Sequence, residues 1–232
     1  MAESTYLIAA DTGGTFTDIV AFDSSSGSIS YGKALTSYSN LADGALEGLE
    51  SANVDLANGY LFKHGTTHVI NAFIQRNGAR TALITTQGFS DMLEIRRGNR
   101  PVPFSLRYRR DPVLIPRDLR FGVEERIDAK GKIIVALNET ELETLADRLK
   151  ALNIEAVAVA FLNGYINSVH EERAVEMLRR RLPHVYVTSG SELSREWYEY
   201  ERTSTAAANA YVGPKMQGYV DMFDARLKQR GF

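Results

Sequence analysis

From Thr5 onward the chain alternates short apolar runs with small polar turns. TYLIAAD (5–11) and DIVAFD (18–23) flank a Thr-Gly-Gly-Thr turn, and SISYGKALT (28–36) follows SSSG with a period of two. This alternation predicts an antiparallel meander of strands. ADGALEGLESAN (42–53) switches to helical spacing, with Asn40 or Asp43 as its cap. Strand and helix then alternate through YLFKHGTT, HVINAFIQRNG, RTALITT and GFSDMLEIRRG, which predicts an α/β layer.

Residues 96–126 break the rhythm. They hold four of the chain's six prolines and predict an extended, irregular excursion. Alternation resumes with a strand in GKIIVAL (131–137) and an amphipathic helix in ETELETLADRLKALN (139–153), capped by Asn138. EAVAVAFLN (155–163) is apolar on both faces, so it is expected as a central strand. HEERAVEMLRRRLP (170–183) reads as a helix stopped near Pro183, and HVYVTSGSEL (184–193) as another strand. REWYEYERTSTAAANAYV is helical, and a second helix is expected after Gly213-Pro214, through KMQGYVDMFDARLKQRG. The expected division is an α/β unit over 1–90, an Arg/Pro-rich excursion over 91–126, and a second α/β unit over 127–232 ending in long helices.

Composition narrows the function classes. With 232 residues, 44% apolar and 24% charged, the chain has the make-up of an ordinary globular protein. A formal net charge of −2 gives no pull toward nucleic acid or anionic membrane. The absence of cysteine rules out disulfides, thiolate metal sites and a catalytic thiol. The longest apolar run, AVAVAFL (156–162), is too short for a helical span. MAESTYLIAAD lacks the basic start and cleavage site of a secretory leader, so the expectation is a soluble cytoplasmic protein with neither a nucleic-acid nor a membrane partner.

The candidate chemistry centres on AADTGGTFTDIVAFD (9–23). One reading is a hairpin turn that needs only the permissive backbone of Gly13 and Gly14. The other is a phosphate cradle, in which glycines let backbone N–H groups approach an oxyanion. Thr12, Thr15 and Thr17 would add hydroxyl donors. Asp11, ending the buried strand, would be the catalytic, metal-facing acid that holds Mg²⁺ or its water, with Asp18 across the turn as a second metal candidate. Neither G-x-x-x-x-G-K-S/T nor G-x-G-x-x-G is present, so a phosphate here would be held by a hairpin, in the actin-like and sugar-kinase manner.

Other residues carry competing readings. His64 and His68 in HGTTH have the spacing of metal ligands on a helix, but Gly65 interrupts the helix and no third ligand is obvious. Residues 96–120 hold eight arginines (96, 97, 100, 107, 109, 110, 117 and 120) and no lysine. These suit carboxylate or phosphate recognition or a partner surface, against a solvated loop with structural ion pairs, the reading favoured for most of them. Arg96 and Arg97 are the two to test.

The sequence resembles the N-terminal part of the hydantoinase A / 5-oxoprolinase family, which includes acetone and acetophenone carboxylase subunits. The resemblance runs in order through DTGGTFTDIV, HGTTHVINAFIQRNGARTALITTQGFSDMLEIRRGNRP, VLIPRDLR, VEERID and EYERTSTAAANAYVGP. It implies a ribonuclease-H-like lobe of the actin/sugar-kinase superfamily with a second α/β unit, and ATP with Mg²⁺ as cofactors. The implied activity phosphorylates a lactam, hydantoin, amide or ketone-enol oxygen for hydrolysis or carboxylation. Implied partners are a hydantoinase-B-like subunit and a C-terminal lobe, within an oligomer. It also places Gly65, Thr66 and Thr67 at a strand end facing the nucleotide cleft, against the alternative that Thr66 or Thr67 caps the next helix. Glu199, Arg202 and Thr203 to Thr205 match the family's E-x-x-R-T-S-T segment, which would face the cleft, against helix packing through Ala206 to Ala208. The family's later second glycine turn and adenosine-binding segment have no counterpart here. The expectation is therefore one lobe or fragment, binding ATP weakly and inactive alone. The alternatives are a non-catalytic assembly subunit and, least supported, a small complete kinase.

Overall fold

The computed structural model describes residues 5–37, 41–99, 102–108 and 111–232. Asn40, Arg100, Arg109 and Arg110 lie outside them. The chain divides into two compact units, one of residues 1–77 with 215–232 and the other of residues 78–214.

The first unit is built on four strands, β1 (Tyr6–Thr12), β2 (Phe16–Asp23), β3 (Ile29–Leu35) and β4 (Gly59–Thr66), in the order β3-β2-β1-β4. The meander is antiparallel, as its alternation predicts, and β4 joins β1 in parallel after helix α1 (Leu41–Ser51). A short helix, α2 (His68–Ile74), follows β4. Strict alternation sorts the strands into two faces. Ile8, Ala10, Ile19 and Ala21 point inward against Ala45 and Leu49 of α1. Burying one such isoleucine contributes about 1.5–3 kcal/mol. The opposite face leaves Val20, Phe22, Tyr31 and Leu35 exposed.

The second unit carries a parallel sheet of β5 (Thr81–Thr86), β6 (Arg120–Val123), β9 (Ala156–Ala160) and β10 (Tyr186–Ser189), ordered β10-β9-β5-β6. All five residues of β9 are buried, as its two-faced apolar run predicts. Helices α4 (Glu139–Ala151) and α5 (Val169–Arg181) pack together, and Asn138 caps α4 by accepting the Glu141 N–H at 3.1 Å. Single turns α3 (Met92–Ile95) and α6 (Gly190–Leu193) complete the set with α7 (Glu199–Gln229).

Two elements differ from the sequence reading, and a predicted strand lies outside both main sheets. The excursion over 96–126 contains β6, so an edge strand of the second sheet grows from the Pro-rich stretch. The GKIIVAL strand, β8 (Ile133–Val135), pairs only with β7 (Arg126–Ile127), and all three of its residues are exposed. Helix α7 runs through Gly213-Pro214 without stopping. Gly213 serves packing instead, because a Cβ there would stand 2.4 Å from the Tyr186 ring. The unit boundaries at 77/78 and 214/215 follow the sheets rather than the Pro-rich stretch, and β5 belongs with the second sheet. Among the described residues no helix is long and apolar enough to cross a membrane.

Candidate functional site

β1 ends at Thr12 and β2 begins at Phe16, leaving Gly13, Gly14 and Thr15 as the turn. The Gly13 N–H donates to the Phe16 carbonyl at 3.0 Å. From the third strand's end, the Thr36 N–H donates to Thr15 O at 2.9 Å and its hydroxyl to Gly13 O at 3.0 Å. Neither glycine has a positive φ, so the turn does not use their left-handed freedom. What counts at Gly13 is the missing side chain, since a Cβ would sit 3.2 Å from the Phe16 carbonyl.

Register builds the rest. Asp11 stands opposite Asp18 and beside Gly65, and Asp18 stands opposite Lys33. Opposed residues share a face, so Lys33, Asp18, Asp11 and Gly65 form a row across the exposed side of the sheet. Lys33 Nζ lies 2.7 Å from Asp18 Oδ1, with both side chains 56% exposed, and also 4.6 Å from the Phe16 ring centroid. The Asp11 carboxylate is exposed and, among the described residues, makes neither a hydrogen bond nor an ion pair, acting on the His64 imidazole only through space. A Cβ at Gly65 would stand 3.2 Å from Asp11 Oδ1, so this glycine keeps the carboxylate uncovered. The row combines a carboxylate with spare coordination capacity, an already neutralised one, and a glycine turn in which Gly14 and Thr15 are exposed.

The three expected hydroxyl donors separate. Thr15 is exposed, but Thr12 and Thr17 are buried, pointing to the inner face, where Thr17 Oγ1 donates to Thr12 Oγ1 at 3.4 Å. Strand alternation forces this, because both lie one residue from an outward carboxylate. Their hydroxyls therefore do not reach the exposed side.

The Gly65-Thr66-Thr67 turn lies beside the Gly-Gly turn, tied to it by the Thr67 N–H donating to Thr12 O at 3.3 Å. The Thr66 hydroxyl accepts the His68 N–H at 3.2 Å in a local turn, while Thr67, the residue at the cap of α2, makes no side-chain capping bond, is exposed and takes a 3.5 Å contact from Asn71.

His64 and His68 fall on different elements, β4 and the start of α2. Both flank Tyr219, and His64 stacks on Phe223 with centroids 4.6 Å apart. Burial pushes both imidazoles below their ordinary value. Burial also raises the Tyr219 phenol to about 12. Among the described residues no cluster of three or more candidate ligands holds a metal.

The E-x-x-R-T-S-T segment turns inward within the second unit. Arg202 is fully buried, donating to Glu171 Oε1 at 2.6 Å, to Glu199 and to the Phe161 carbonyl. Glu171 also accepts the N–H groups of Phe161 at 2.8 Å and Ser191 at 2.7 Å. Arg202 thus acts in the fold rather than facing a cleft. Beside it, Glu125 accepts from Thr86 and lies 2.8 Å from His170 Nδ1, a network missing from the sequence reading because its members are far apart in the chain. Four of the excursion's arginines also serve the fold: Arg96 reaches Asp111 O, Arg97 pairs with Glu201, Arg117 with Asp91, and Arg120 donates to Ile115 O at 2.8 Å.

Comparison with known proteins agrees with this fold. The chain is 39% identical to an uncharacterised protein of Methanocaldococcus jannaschii, over 98% of this chain and 34% of that one. It is 33% identical to the caprolactamase subunit alpha of Pseudomonas jessenii, over 100% of this chain and 34% of that one. The crystal structure of the ATP-dependent caprolactamase from Pseudomonas jessenii matches with a TM-score of 0.84 over 97% of this chain and 34% of that chain. The nucleotide-free acetone carboxylase structure matches equally well, at 0.84 over 98% of this chain and 35% of that chain; at 24% identity it speaks to fold alone. The chain spans about a third of the length of these relatives. The model of the hydantoinase/oxoprolinase N-terminal region matches residues 7–182, and the chain belongs to that family.

Proposed function

We propose that this chain is the phosphate-gripping N-terminal lobe of an ATP-dependent enzyme that activates a lactam, hydantoin, amide or ketone-enol oxygen for hydrolysis or carboxylation. In this reading the first unit is ribonuclease-H-like, and the protein works in the cytoplasm in an oligomer with a hydantoinase-B-like subunit and a C-terminal lobe. The observation that carries the proposal is Asp11, whose exposed carboxylate makes neither a hydrogen bond nor an ion pair among the described residues, between the Gly-Gly turn and a glycine that leaves it open.

These residues fit a magnesium nucleotide. Asp11 would hold the Mg²⁺ or its water, and Gly13, Gly14 and Thr15 would face the phosphates. Asp18 contributes less to a metal, because Lys33 already neutralises it; Lys33 brings positive charge close to the turn. Gly65 and Thr67 would form the neighbouring wall, while Thr66, engaged with His68, shapes the turn. Bound ATP supplies the phosphoryl group that makes an unreactive oxygen into a leaving group. The chain's own share is positioning and charge neutralisation. In the complete assembly with its hydantoinase-B-like subunit, Asp11→Ala should abolish ATP-dependent turnover; turnover that survives the change refutes the reading.

A second reading, a non-catalytic assembly subunit, draws on the apolar outer face, where Tyr31 is 71% and Leu35 65% exposed. It predicts a complex with the hydantoinase-B-like subunit whose formation ignores Mg·ATP.

A further inference from the structure

The second unit holds a cavity of about 590 Å³ beside its edge strand β6, between the loop that leaves β5 and helix α4. That volume lies in the ordinary range of small-molecule sites. Gln87, Gly88 and Ser90 line it from the loop, Arg120 and Phe121 from β6, and Arg148 from α4. Glycine shapes the loop side. Gly88 has a φ of +90°, and a Cβ at Gly122 would stand 2.9 Å from the Gln87 Cα, so a bare strand residue lets the loop lie this close.

Three arginines line the cavity, and their compensation differs. Arg117 pairs with Asp91 at 2.5 Å. Arg120 has a fully buried side chain with five N–H groups to satisfy. Three of them find acceptors, Ile115 O at 2.8 Å and both Ser90 O and Glu94 Oε1 at 3.4 Å. Arg148 is exposed and, among the described residues, makes neither an ion pair nor a side-chain hydrogen bond; its guanidinium carbon lies 4.8 Å from the Phe121 ring centroid, which holds it at the cavity. The loop adds donors, since the N–H groups of Gly88 and Ser90 bond nothing among the described residues. Acids limit the charge such a site can take. Asp91 and Glu94 stand beside Arg117 and Arg120, and Glu141, in the lining, accepts the Glu124 N–H at 2.8 Å. One guanidinium is left over, and three carboxylates on or beside the lining oppose a multiply charged group such as a nucleotide phosphate.

We infer that this cavity binds a small monocarboxylate, its head paired with Arg148 and the loop amides and its apolar body along Phe121 and Leu145. A guanidinium suits a carboxylate because its fork matches the two oxygens. The site lies wholly within the second unit and is independent of the nucleotide reading.

The test is titration of the nucleotide-free chain with hexanoate and with hexanamide, an uncharged molecule of the same shape, read by calorimetry and by amide NMR shifts. Hexanoate should bind with a Kd on the order of a millimolar, shift the Gly88 and Ser90 amides, and bind about tenfold or more tighter than hexanamide. Arg148→Gln should weaken hexanoate binding by about tenfold or more and keep the urea midpoint, because the side chain is exposed. Arg148→Lys, which keeps the charge and loses the fork, should fall between the two. Arg181→Gln, which removes an exposed arginine paired with Asp147 outside this cavity, should bind as wild type does. No hexanoate binding in the millimolar range, binding no tighter than that of hexanamide, full binding by Arg148→Gln, or shifts that miss Gly88 and Ser90 would each overturn the inference.

Discussion

The second unit ties its buried acids into its own fold, whereas the first leaves the Asp11 carboxylate on a sheet face outside any such tie. Glu171 accepts two backbone N–H groups and the Arg202 guanidinium, and Glu125 bonds Thr86 and His170, all out of solvent. In the first unit Asp11 sits on a sheet face with neither a hydrogen bond nor an ion pair among the described residues, next to Asp18, which Lys33 satisfies. Both groups lie near strand ends and both are rich in acids and hydroxyls, so composition does not separate them. Spent capacity marks structure; spare carboxylate capacity beside an exposed glycine turn marks a place for a ligand.

Substitutions should therefore have opposite signatures in the two units. The largest loss of stability is expected at Arg202. Arg202→Met strands the buried Glu171 carboxylate, and urea unfolding should show a loss of about 3–5 kcal/mol; a loss within the range of ordinary surface changes would mean the network is not structural. Thr86→Val comes next. It removes a donor to Glu125 and the acceptor of the Leu162 N–H at 2.9 Å, for about 1–3 kcal/mol by the same measurement.

The first unit should show its sensitivity in pH. His64 and His68 have folded-state pKa values below the usual 6.5. As pH falls through that value the unfolded chain takes up protons that the folded chain resists, so stability declines from there down to the folded-state pKa values. Urea midpoints should drop as pH falls through about 6.5 and below, and His64→Gln should reduce the drop. An identical drop in the variant would assign the effect elsewhere. The smallest effect belongs to Lys33→Ala, which removes an exposed pair and should cost under about 1 kcal/mol. A larger loss would show that the exposed row also supports the sheet.

Much of this was legible in sequence. The meander, the central AVAVA strand and the Asn138 cap follow from local pattern, because alternation, two-faced burial and capping are short-range. The partnership of Lys33 with Asp18 was readable too, since the register of a tight meander places them opposite. Gly213-Pro214 misled because the glycine answers to Tyr186, far away in sequence, and not to the helix that contains it. GKIIVAL forms its strand as the pattern predicts, but an apolar run looks the same whether it joins a buried sheet or a small exposed ribbon, so its place was not legible. The inward turn of Thr12 and Thr17 follows from strand parity, whereas the contact of Tyr219 with His64 spans 155 positions, and no local signal announces it.

The most direct test of the central claim is calorimetric titration of Mg·ATP into this chain and into its Asp11→Ala variant. One lobe contributes only part of a nucleotide site, so the account predicts weak binding, with a dissociation constant on the order of a millimolar, that disappears in the variant while its unfolding midpoint is unchanged. Equal heats from both proteins, or none from either, would contradict it.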